Sequence, residues 1–124
     1  MHKQYFVAVY GTLKRNKPNH SLMSLAESEF IGEGKTADKY PLIVGGRLPY
    51  LFENVGVGEQ IKVEIYKVDF RGLQVLDKFE GHPNFYTRKP VLCEFPNGEK
   101  AECFIYFINK KRDDFSGFKL LKNY

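Results

Sequence analysis

Within one stretch of the chain, Ile61 to Gly81, the hydrophobic period changes from two to about three. Ile61, Val63 and Ile65 alternate with Lys62, Glu64 and Tyr66, the pattern of a strand with one wet face. From Asp69 the apolar residues recur as Phe70, Leu73, Leu76 and Phe79, the stripe of an amphipathic helix. Asp69 is placed to cap the start of that helix and Gly81 to close its end. A strand feeding a helix directly points to a mixed architecture.

The remaining segments agree. Tyr5 to Val9 reads as a short buried strand ending at Tyr10-Gly11, and Ser21 to Phe30 as a short helix with Asn19 or Ser21 as its N-cap. Gly34 to Phe52 is rich in Gly, Pro and Tyr, and yields two short strands, Leu42 to Val44 and Tyr50 to Phe52. Lys89 to Phe95 and Lys100 to Ile108 flank the sequence PNGE, the strongest hairpin signal in the chain. Residues 109–124 form a tail, charged first and apolar later, that either packs Phe118, Leu120 and Leu121 on the body or frays. With 124 residues, 11 Phe, 8 Tyr and no Trp, the expectation is one small α+β domain, residues 1–124, built on a curled or barrel-like sheet with few short helices.

Several function classes recede on composition. The formal charge of +4 is spread over 19 basic and 15 acidic residues, which gives solubility without a nucleic-acid surface. Met1 to Gln4 leads straight into a strand, and no segment approaches membrane-spanning length, so a cytoplasmic protein without membrane contact is expected. Cys93 and Cys103 suit a reducing compartment. A two-residue turn at Asn97-Gly98 would put their thiols on opposite faces of the hairpin. His2, His20 and His82 are dispersed and the cysteines do not form a zinc knuckle, so neither metal nor cofactor is expected. Gly34-Lys35-Thr36 has the ending of a phosphate loop, but Glu29 stands where its first glycine belongs.

Two features carry chemistry. The first strand ends in the Gly-Thr corner Tyr10-Gly11-Thr12-Leu13, which either turns the chain or presents a concave set of N–H groups to an anion. Glu80 sits on the last turn of the amphipathic helix, where a carboxylate meets the negative end of the macrodipole. An aromatic setting beside Phe79 would also raise its pKa by desolvation. A residue that breaks a local rule without structural gain is where function is sought, although a solvated and harmless Glu80 reads equally well from this feature alone.

The wording YGTL after the first strand, joined about seventy residues later to Phe79-Glu80-Gly81, Pro83, Tyr86 and Arg88, resembles the γ-glutamyl cyclotransferase-like superfamily. The resemblance is closest to its γ-glutamylamine cyclotransferase branch, which includes the AIG2-like domains. It implies a small-molecule γ-glutamyl substrate such as γ-glutamyl-ε-lysine, cyclised by its own α-amine to 5-oxoproline with release of the amine. Glu80 would then be the proton-transfer residue, and Tyr10, Gly11, Thr12, Leu13 and Tyr86 would bind substrate. The segment Tyr40 to Ile43 resembles one that lines a wall in relatives. Arg88 is expected to pair with an acidic residue below the pocket, His82 to be exposed, and Lys14, Arg15 and Lys17 to form a solvated rim. Alternatives are an enzyme for γ-glutamyl α-amino acids, or a non-catalytic AIG2-like module binding a small carboxylate or a protein. A monomer is expected.

Overall fold

The computed structural model describes residues 3–124; Met1 and His2, which entered the N-terminal and histidine readings above, lie outside the described residues. The elements run β1 Gln4–Val9, α1 Ser21–Leu25, β2 Glu29–Tyr40, β3 Leu42–Gly45, β4 Leu48–Leu51, β5 Glu59–Asp69, α2 Phe70–Glu80, β6 Tyr86–Glu94 and β7 Lys100–Ile108. Five strands close a barrel in the order β1-β5-β2-β6-β7, sealed where Val7 of β1 pairs in parallel with Phe104 of β7. β3 and β4 form a separate antiparallel hairpin. This is the expected α+β class.

Alternation builds two cores from one sheet. Ala8, Ile61, Val63, Ile65, Val91 and Ile105 fill the barrel interior, while Val7, Val9, Tyr66 and Val68 face outward under Leu73 and Leu76 of α2. The face of β5 expected to be wet is therefore largely covered: Glu64, Tyr66 and Val68 are buried, and Lys62 is the exposed member of that row. The helix stripe narrows correspondingly, since Leu73 and Leu76 are buried but Phe70 and Phe79 are exposed. Its ends follow expectation. Asp69 Oδ1 accepts from the Gly72 N–H at 2.8 Å, and Gly81 takes the left-handed conformation at φ 67° that closes the C-terminus.

Three readings need correction. Helix α1 stops at Leu25, because Ser28 donates both its N–H and its hydroxyl to the Met23 carbonyl, and Phe30 lies in β2 with its ring against Tyr66. The residue before α1 is His20, with no side-chain cap. The long strand β2 was not expected at all. Its pairing shifts register between Phe30 and Gly32 and again between Lys35 and Lys39, which erases the alternation that marks a strand.

The third correction concerns the cysteines. The hairpin loop is five residues, Phe95–Glu99, closing Glu94 on Lys100, so Cys93 faces Ala101 and Cys103 faces Val91. Both thiols therefore point to the same side, into the barrel, where they are buried and free. In the tail, the Leu121 N–H donates to Leu42 O at 3.0 Å and Lys122 O accepts from the Lys62 N–H at 2.7 Å. The packed alternative holds there, while Phe118 stays 43% exposed. Among the described residues, no helix is long and apolar enough to cross a membrane.

Candidate active site

Strand β1 is buried on both sides from Val7 to Val9 and delivers Tyr10 to the barrel rim, where its hydroxyl donates to Tyr106 O at 2.6 Å. The chain then turns. The Lys14 N–H donates to Gly11 O at 3.1 Å, and the Asn19 N–H donates to Thr12 O at 3.0 Å, drawing the return of the loop alongside. Among the described residues, the N–H groups of Gly11, Thr12 and Leu13 donate to no backbone or side-chain partner. These three residues line a cavity of about 210 Å³.

That cavity gathers elements distant in sequence. It is lined by residues 8–13 with Asn19, by Leu48 and Pro49 of β4, by Phe79 and Glu80 of α2, and by Tyr86 and Tyr106. All six residues expected at the site, Glu80 with Tyr10, Gly11, Thr12, Leu13 and Tyr86, line this one space. Among the described residues, no lysine or arginine lines it.

Glu80 is half-buried, and among the described residues its carboxylate accepts no hydrogen bond and joins no ion pair. Burial pushes its pKa up to about 7. The phenols around it are held protonated: burial first, and then the Glu80 charge, raise both Tyr10 and Tyr86. An unpaired carboxylate that titrates near neutrality is equipped to take and return a proton.

The layer beneath is tightly bonded. Asp77, one turn before Glu80, accepts from Arg88 Nε at 2.8 Å and from the Tyr106 hydroxyl at 2.7 Å. Arg88 also lies 4.6 Å from the Phe104 ring centroid. Arg88 thus pairs with an acid below the pocket, as expected, and its N–H donates to His82 Nδ1 at 3.1 Å. The ion pair at Asp77 satisfies that acid and leaves Glu80 as the carboxylate facing the cavity.

Two other expectations are overturned, for the segment beginning at Tyr40 and for Lys14. Tyr40, Pro41 and Leu42 are buried in the barrel core and do not line the cavity; Leu48 and Pro49, across the β3–β4 hairpin, supply that wall. The Tyr86 hydroxyl donates to Pro49 O at 3.1 Å, which binds that wall to β6. Lys14 is buried instead of solvated, Arg15 pairs with Glu64 and Glu33, and Lys17 lies over the Tyr124 ring. Asn19, Leu48, Pro49, Asp77 and Tyr106 were missed. Asp77 carried a usable signal, being an acid spaced one helical turn before Glu80, whereas the others are placed by long-range closure.

Gly11 is required by close approach. A Cβ there would lie 2.6 Å from Pro49 Cγ. Gly11→Ala is therefore expected to displace the Leu48–Pro49 wall and raise KM at least about tenfold by misplacing the amides, with a smaller change in kcat. Steady-state kinetics check this; an unchanged KM would show that the ring yields freely.

Comparison with known proteins extends these observations. A family model described as gamma-glutamyl cyclotransferase, AIG2-like, matches residues 7–120. The chain is 38% identical over 112 residues to a gamma-glutamylaminecyclotransferase of Rattus norvegicus, covering 81% of this chain and 75% of that one. It is 35% identical over 116 residues to the protein of the same name from Homo sapiens, covering 81% and 76%. The crystal structure of an AIG2-like protein from Mus musculus superposes with a TM-score of 0.91 at 31% identity, over 99% of this chain and 89% of that one.

Proposed function

This chain belongs to the gamma-glutamyl cyclotransferase, AIG2-like family, and from that premise we propose that it is a γ-glutamylamine cyclotransferase with Glu80 as its proton-transfer residue. The observation that carries the reading is the shared cavity, lined by an unpaired, desolvated carboxylate and by residues with unoccupied amides. In the reaction, the substrate α-nitrogen attacks its own γ-carbonyl carbon. The new C–N bond closes the 5-oxoproline ring, the old amide C–N bond breaks, and the two protons that the α-ammonium loses in becoming the ring N–H leave on the departing amine, as its ammonium. Neither water nor a covalent enzyme intermediate is consumed.

Proximity is built into the substrate, so the protein supplies the rest. Holding the glutamyl chain in its folded form captures an advantage of about 7–11 kcal/mol. The α-ammonium lies beside an ionised α-carboxylate and holds its proton more tightly than a peptide N-terminus, at roughly 7.7–8.0, so it is poorly matched to an ordinary carboxylate. Against Glu80 at about 7 the mismatch is far smaller. The Gly11 to Leu13 amides would receive the α-carboxylate, using oriented dipoles instead of a cationic side chain. Tyr86 and Tyr106 brace the cavity lining through Pro49 and Asp77.

The choice of leaving group follows from charge. A γ-glutamyl α-amino acid carries a second carboxylate beside the scissile nitrogen, and among the described residues no lysine or arginine lines the cavity to meet it. A γ-glutamyl amine presents a methylene there, which suits Leu48 and Phe79. Incubation with γ-glutamyl-ε-lysine and with γ-glutamyl-alanine, following 5-oxoproline, tests this. The lysine derivative is expected to react at least about tenfold faster in kcat/KM; preference for alanine would favour the amino-acid reading, and release from neither would reject both. The same reading takes residues 1–124 as one cytoplasmic, monomeric domain acting on isopeptide cross-link remnants, supported by the two free thiols.

A further inference from the structure

Lys14 is only 8% exposed, yet its ammonium meets no side-chain carboxylate within ion-pair distance among the described residues. Its Nζ donates instead to Asn123 Oδ1 and to Tyr124 O, each at 2.8 Å. Burial, reinforced by nearby Lys17, holds its pKa below the usual lysine range. A buried ammonium whose acceptors both come from one segment ties that segment to its own backbone, and the Lys14 N–H is the group that closes the turn on Gly11 O.

The same segment reaches the opposite wall. The Tyr124 hydroxyl donates to Arg47 O at 2.8 Å, immediately before Leu48 and Pro49, while its ring lies 4.8 Å from Lys17 Nζ. Further back the segment is anchored by the Leu121–Leu42 and Lys62–Lys122 backbone bonds. The two segments it joins approach so closely that a Cβ on Gly11 would lie 2.6 Å from Pro49 Cγ.

We propose that residues 121–124 are a strap that fixes the Gly11–Leu13 turn against the Leu48–Pro49 wall, with Lys14 and Tyr124 as positioning residues for the substrate. The consequence for catalysis rests on the cyclotransferase reading. The amides must sit within a fraction of an ångström of the α-carboxylate to keep the α-amine aimed at the γ-carbonyl. Neither Lys14 nor Tyr124 needs to touch substrate to matter.

Two variants test the strap in the full chain. Tyr124→Phe deletes one hydroxyl and its bond to Arg47, and Lys14→Met deletes both ammonium bonds while keeping the stem. Each is expected to raise KM for γ-glutamyl-ε-lysine about fivefold, with kcat changed less than about twofold, and to speed hydrogen exchange at the amides of residues 14 and 19, which donate to Gly11 O and Thr12 O. Val91→Ala, in the barrel core away from the cavity, is the control: it should lower Tm and leave KM unchanged. Should Lys14→Met fail to fold, Tyr124→Phe decides alone. Unchanged exchange in Tyr124→Phe, or unchanged KM despite faster exchange, overturns the strap. A wild-type protein that releases no 5-oxoproline rejects the cyclotransferase reading instead, and the exchange measurement still decides whether the segment holds the turn.

Discussion

Glu80→Gln is expected to lower 5-oxoproline release from γ-glutamyl-ε-lysine by about 10³-fold while leaving the fold intact. Glutamine matches glutamate in shape but cannot accept the ammonium proton, and general acid–base catalysis is typically worth about 10²–10⁴-fold. In the wild type, kcat/KM should climb with pH through about 7, as Glu80 loses its proton and becomes a competent base. That limb should vanish in the variant. Stability moves the other way. The folded state holds the Glu80 proton more tightly than the unfolded chain, whose glutamate titrates at its ordinary value near 4.5, so stability falls as pH rises from 4.5 to 7. The full shift corresponds to about 3 kcal/mol, reduced to about 2 by the solvent that still reaches the carboxylate. Above pH 7 Glu80→Gln should therefore unfold at a higher temperature than wild type. A variant that keeps most of its turnover would remove Glu80 from the chemistry, and one that melts well below wild type would make it a structural partner.

Asp77→Asn is expected to be the most damaging single change to stability near the site. Asp77 and Arg88 are side chains 17% and 21% exposed, joined at 2.8 Å, and the Tyr106 hydroxyl donates to the same carboxylate oxygen. Removing the charge strands a largely desolvated guanidinium, and breaking such a pair costs about 2–4 kcal/mol, near the lower part of the range for fully buried ones. For a chain of this size that corresponds to a fall in Tm of roughly 10 °C. Arg88→Met, which removes the other partner, should in combination with Asp77→Asn cost clearly less than the two changes summed, because each loses the same interaction. Full additivity in calorimetry would mean that the two residues act separately.

The contrast between these two acids explains what was legible in the sequence. Glu80 stood out because a carboxylate at a helix C-terminus violates a local rule, and a violation is visible without coordinates. The helix that carries it was legible for the same kind of reason: Asp69, Leu73, Leu76 and Gly81 are local signals, and each does what its chemistry suggests. The turn Gly11–Leu13 was marked by its glycine, but the reason for that glycine is Pro49, 38 positions later, which no local pattern reveals. β2 was lost because its register shifts scramble alternation, and the wet face assigned to β5 failed because α2 folds back over it. Lys14 is the sharpest case. A lysine beside an arginine reads as a solvated rim until Asn123 and Tyr124 are brought to it. What escapes a sequence reading here is closure between distant segments.

The central claim is that Glu80 is an unpaired base sharing a small cavity with free backbone amides, and NMR observation of both groups tests it most directly. Titrating the Glu80 side-chain carboxyl carbon against pH should give a midpoint near 7, and adding 5-oxoproline should shift the Gly11, Thr12 and Leu13 amide signals together with that carbon. A Glu80 midpoint near the ordinary 4.5, with 5-oxoproline leaving those amides unmoved, would contradict it.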